Sequence, residues 1–292
     1  MTISIIFSVI NACLLRAFSN QNKGKYSPFF FNTGVNLIWI LILSILYCQS
    51  KTTYSLTSLA FGTVYGVLLF TFLFFKTQAM ATGPVSLSTL IGSCAFLIAS
   101  AFGIIYYGEK IHFVQIFGMV LLLFALFLCV NPRRSKEPLS IRWFLYCFGF
   151  FLAGGLVGIL YKLFGKSSAR SEVDAMLLTA SLVSTLLFFS FGLLQKKNKA
   201  VTSLSKSTLL FMLLCGIASC LYIRMNVTLS NLIPSVIFFP VSNGGMVILS
   251  AIAGKILFKE KLSQIQTIGI IIGCIAVVMI GCGETIYCHL ML

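Results

Sequence analysis

The chain has 292 residues, 59% of them hydrophobic and only 9% charged, with a formal net charge of +15 and a mean hydropathy of +1.02. No soluble core of this length needs so large an apolar excess, so a water-soluble domain is excluded and a membrane protein is expected. Six acidic residues and two histidines, scattered along the chain, are too few for the acid clusters or His/Asp pairs of a membrane-embedded enzyme, and no enzymatic activity is expected.

A bilayer core about 30 Å thick takes roughly 20 helical residues. Apolar stretches of that length run over about 3–19, 28–48, 56–76, 84–107, 111–130, 142–165, 174–194, 207–229, 233–258 and 262–283. Their apolar character is continuous and does not alternate, so they predict ten transmembrane helices and not barrel strands. The first run, ISIIFSVINACLL, has no basic residue before it and no small-residue cleavage site before Arg16, so it predicts a retained helix and not a signal peptide. The loops between runs are short, and no separate soluble domain is expected. The ten cysteines all lie in or beside apolar runs with no CxxC pair. They are expected to pack as small side chains, with no disulfide, metal or other cofactor.

Residues 103–118, GIIYYGEKIHFVQIFG, return 151 positions later as GKILFKEKLSQIQTIG at 254–269. Gly103, Ile105, Glu109, Lys110, Gln115 and Gly118 match Gly254, Ile256, Glu260, Lys261, Gln266 and Gly269. The chain therefore reads as two tandem repeats, 1–131 and 142–292. Five crossings per repeat is an odd number, so the second copy enters the bilayer from the opposite side, giving an all-α polytopic protein of two inverted five-helix repeats. Of 21 basic residues, 15 fall on the side that holds the loops 131–141 and 195–206. The positive-inside rule puts those loops in the cytoplasm and both termini outside. Each Glu-Lys turn is expected to cap the helix that follows it, with a contribution of about 1 kcal/mol.

The stretches YGEKIHFVQIFGMVLLLFALFL at 107–128, FKEKLSQIQTIGIIIGCIAVVMIG at 258–281 and PSVIFFPVSNGGMVILSAIAGKILFKEK at 234–261 resemble the drug/metabolite transporter superfamily, specifically its ten-helix EamA-type members. That resemblance implies a multi-pass protein of the bacterial plasma (inner) membrane, with the fifth and tenth helices bracing a scaffold and the others surrounding a cavity. Small multidrug resistance proteins, relatives in the same superfamily, use a first-helix carboxylate to exchange protons for cationic drugs; here the first helix offers Asn11 and no acid.

Charged groups inside spans are costly and default to functional candidates. Arg16, Lys76, Lys162 and Arg224 are such cations, each near enough to a helix end to reach the headgroups. An unbalanced positive charge facing a cavity favours an anionic or carboxylate-bearing solute. The polar residues at span interiors include Asn11, Asn36, Tyr65, Ser93, Tyr222, Asn226 and Asn243. Asn243 stands out, because Pro240 can open its helix and Gly244 and Gly245 leave room for a solute; Gly92 and Ser93 hold the matching place in the first repeat. The candidate solute contacts are thus Asn243, Arg224, Lys76, Asn226, Ser93, Tyr65 and Asn11. The expected function is secondary transport of a small metabolite, of amino-acid or organic-anion type, by alternating access. The alternatives are a multidrug or cation exporter, an integral-membrane lipid-modifying enzyme, or a membrane scaffold. The expected partners are the solute and membrane lipid, no nucleic acid, and a homodimer is compatible with the pattern.

Overall fold

The computed structural model describes residues 1–22, 27–50, 54–83, 85–129, 140–194, 205–258 and 263–283. Among these, all regular structure is helical, in the order α1 (Thr2–Asn22), α2 (Pro28–Ser50), α3 (Leu56–Thr82), α4 (Val85–Ser93), α5 (Phe96–Tyr107), α6 (Phe113–Cys129), α7 (Ile141–Lys166), α8 (Val173–Leu194), α9 (Lys206–Leu232), α10 (Ser235–Phe258) and α11 (Gln264–Gly281). Nine stretches among the described residues are long and apolar enough to span a membrane, one of them formed by α4 and α5 together, and α6 is a shorter apolar helix. Side chains such as Ile105, Leu186, Leu194 and Ile141 point outward, as lipid in place of water allows. This is a polytopic helical membrane protein.

Three local departures from the sequence expectation matter. The third span is longer than expected, running to Thr82. The fourth is broken at Cys94–Ala95, where i→i+3 bonds (Ala95 to Gly92, Leu97 to Cys94, Ile98 to Ala95) replace part of the helical ladder. The ninth span, where Pro240 was expected to open the helix, is instead continuous as α10 with Pro240 inside it.

The chain forms two compact units, Met1–Phe70 with Leu163–Thr228, and Thr71–Lys162 with Leu229–Leu292. Helices α3, α7 and α9 each begin in one unit and end in the other. In the first unit α3 lies against α8 through Gly62 and Gly66: a Cβ on either would strike the Met176 or Ala180 carbonyl. This is the close backbone approach that small residues at i and i+4 permit. Trp39 Nε1 donates to Ser219 Oγ at 2.8 Å, tying α2 to α9, and Phe29, Phe70, Phe188 and Phe191 form one ring cluster. The N-terminus of α3 is capped from a distance, as Glu172 Oε2 accepts from the Ser55 N–H at 3.0 Å and its hydroxyl at 2.6 Å.

In the second unit α6 and α11 pack antiparallel, with Gly118 against Ile280 and Gly269 against Leu128 and the Cys129 backbone. Both helices start alike. Ser263 accepts from the Gln266 N–H while Gln266 Oε1 accepts from the Ser263 N–H, a full capping box; at α6 Gln115 Oε1 accepts from the His112 N–H at 3.0 Å. The duplicated glutamine is therefore a cap residue. Gln266→Ala is expected to cost about 1 kcal/mol in thermal unfolding, as loss of an N-terminal cap does. Around the broken span, α7 supplies the smooth surface: Gly92 meets Phe150, while Gly154, Gly155 and Gly158 receive Ala95, Ile98 and Ala99. Trp143 Nε1 donates to Ser88 Oγ at 2.9 Å and anchors α4 to α7.

Candidate functional site

Four of the candidate residues lie in the first unit. Arg224, on α9, grips Asp174 in the first turn of α8 side-on, Nε to Oδ1 at 2.5 Å and Nη2 to Oδ2 at 3.0 Å. The aspartate is nearly buried, at 7% side-chain exposure, and the arginine is open at 42%. The expectation of an unbalanced cation at Arg224 is thereby corrected, since a carboxylate 50 residues away neutralises it. Two residues further along α9, Asn226 Oδ1 accepts from Ser4 Oγ of α1 at 2.5 Å. Tyr65 is buried in α3. Asn11 is half-buried in α1, with no hydrogen bond to another described residue.

The pair is asymmetric, and so are its expected mutants. Asp174→Ala leaves an arginine that can turn to water and is expected to cost about 1 kcal/mol. Arg224→Ala strands a buried carboxylate and is expected to cost roughly 2 kcal/mol. Thermal unfolding in detergent checks the order; equal losses would mean the carboxylate is hydrated after all.

The other three candidates lie in the second unit. Lys76 is half-buried in α3 and has no acidic partner among the described residues. Ser93, the last residue of α4, sits beside the break and donates back to the Thr89 carbonyl at 2.8 Å. The Asn243 amide donates to the Phe239 carbonyl of its own helix at 2.9 Å, and α10 continues through Pro240. Its side-chain carbonyl stays available. These three share no hydrogen bond with one another.

One cation placed at headgroup level by the sequence has another role here. Lys162 is a buried ion-pair partner of Glu109, with Nζ–Oε1 2.9 Å and side-chain exposures of 4% and 13%. Glu109 caps α10, not α6 as expected: its Oε2 accepts from the Ser235 and Val236 N–H groups at 2.6 and 3.3 Å. Glu260, the second copy, lies outside the described residues. Sequence reasoning missed Asp174, Ser4 and Ser235; Asp174 was legible only as an acid at the start of a span, with nothing to name its partner. The three described carboxylates, Glu109, Glu172 and Asp174, are all engaged by donors. Among the described residues no group of three or more His, Cys, Asp or Glu could hold a metal ion.

No family model matches the chain, and no curated protein does. Solved structures do. One, described as "Crystal structure of protein", superimposes with a TM-score of 0.74 at 14% identity, over 96% of this chain and 98% of its own. At that identity the similarity concerns the fold alone.

Proposed function

We propose that the chain is a secondary transporter of the EamA type that moves a small metabolite, an amino acid or organic anion, across the bacterial plasma membrane by alternating access. The observation that carries this reading is the break in the fourth span at Cys94–Ala95, next to Ser93. A mid-helix stretch tightened to i→i+3 bonds often marks a functional hinge, and transporters build solute sites from discontinuous helices. The duplicated motif supports it further. So does the make-up of the compact units, each of which takes a segment from both sequence repeats. Lys76, Ser93 and Asn243, all in the second unit, are the proposed solute contacts. Lys76 is the cation that favours an anionic group, because it has no acidic partner among the described residues. With every described acid engaged, export of cationic drugs is the weaker reading.

Counterflow into proteoliposomes, with a labelled panel of amino acids and small carboxylates, tests the proposal. Saturable accumulation of one solute is expected. Lys76→Ala is expected to lower its apparent affinity about tenfold, the loss of one charge-assisted contact, with folded yield unchanged. No accumulation of any member of the panel, together with no thermal stabilisation by them, would defeat the reading.

A further inference from the structure

The turn between α9 and α10 brings together two helix ends of opposite polarity. α9 ends at Leu232 with carbonyls in need of donors, and α10 starts at Ser235 with N–H groups in need of acceptors. The residue before Ser235 is Pro234, whose ring carries no acceptor, so this helix has no side chain of its own in the usual capping place. Two residues from elsewhere complete the turn. Lys162 of α7 donates to the Ser230 carbonyl at 3.1 Å, to the Ile233 carbonyl at 2.9 Å and to Glu109 Oε1 at 2.9 Å, which uses all three of its N–H groups. Glu109, in the α5–α6 turn, accepts from the Ser235 and Val236 N–H groups and, through Oε1, from the Ser235 hydroxyl at 3.2 Å. The cation therefore stands at the negative end of α9 and the anion at the positive end of α10, as the helix dipoles favour.

Room for this arrangement is made by Gly103, where a Cβ would meet Ser235 and the Glu109 carboxylate. Gly108 holds the approach, with φ +62° closing α5 in the left-handed conformation. Two glycines and the glutamate of the motif thus serve a helix start more than 120 residues further along the chain.

The position of this network is as informative as its bonds. Lys162 is the last residue of its unit on α7, and Leu229 is the first on α9. The network therefore sits at two of the three points where the chain enters or leaves the second unit. A neutral serine or asparagine would cap α10 without the desolvation cost of a buried ion pair, whose retention is best accounted for by specifying position.

We propose that Glu109 and Lys162 form a clamp that fixes both of these exits, and that its opening sets how freely the α9–α10 turn moves. The inference rests on the fold and not on the transport reading, and its test needs no solute. Amide hydrogen exchange of the full chain in detergent, followed by mass spectrometry, compares the wild type with Lys162→Met and Lys162→Arg. Exchange at Ser235–Phe239 is expected to rise about tenfold more in Lys162→Met than exchange in α6 and α11, and to return close to wild type in Lys162→Arg, which keeps the charge. Unchanged exchange at Ser235–Phe239 overturns the proposal. An acceleration spread evenly over α6 and α11 does so too, because that is general loss of stability. Should Lys162→Met fail to fold, Glu109→Asp shortens the other arm by one methylene; faster exchange confined to the same amides supports the clamp, and wild-type exchange there refutes it.

Discussion

Gly66→Leu, or Gly62→Leu, is expected to remove most of the folded protein. A Cβ at Gly62 would lie against the Met176 carbonyl and the Thr179 side chain, and one at Gly66 against the Ala180 carbonyl and Val183. The obstacle is backbone on α8, so no change of rotamer relieves it, and the two helices must separate. Overpacking of a close helix contact costs roughly 1–3 kcal/mol where side chains can adjust. Here at least the upper figure is expected, because parting the helices also forfeits the van der Waals contacts that hold helices together in lipid. The monodisperse fraction in size-exclusion chromatography and the unfolding temperature measure the loss. Gly281→Leu is the control, since nothing lies within 4 Å of its Cβ position. Equal behaviour of Gly66→Leu and Gly281→Leu would show that α3 and α8 do not meet closely.

Glu109→Gln is expected to destabilise the chain by about 3 kcal/mol, while Lys110→Ala, one residue further on in the same motif, is neutral. The glutamine can still accept from the α10 N–H groups, but it leaves Lys162 as a buried cation with two carbonyls and no anion. Removing one partner of a buried ion pair typically costs about 3–5 kcal/mol; the lower end applies because the α9 dipole keeps part of the compensation. Lys110 is exposed and has no partner among the described residues, and a lone surface charge contributes little. Equal melting temperatures for the two variants would contradict the role assigned to Glu109.

Helical class and approximate span limits were legible in the sequence for one reason. In lipid each helix must satisfy its backbone hydrogen bonds internally, so a run of about 20 apolar residues is itself the structural signal. The duplicated glutamine closes its capping box within four residues of chain, yet the motif's glutamates, not its glutamines, were the expected caps. The candidate site was legible only as residue types. That Arg224 is neutralised by Asp174 and that Glu109 caps α10 and not α6 both depend on which distant elements meet. No periodicity encodes those meetings. The break at Cys94–Ala95 belongs with them. IGSCAFL carries no proline, whereas the proline-containing FFPVSNGG remains helical. Pro240 costs α10 one backbone bond and the helix continues through it, whereas the chain at Gly92–Ala99 tightens to i→i+3 bonds where it packs against Phe150 and the glycine face of α7. Hydropathy, a property of each segment alone, decided what crosses the membrane; contacts between segments far apart in the chain decided which charges are paired and which helix breaks.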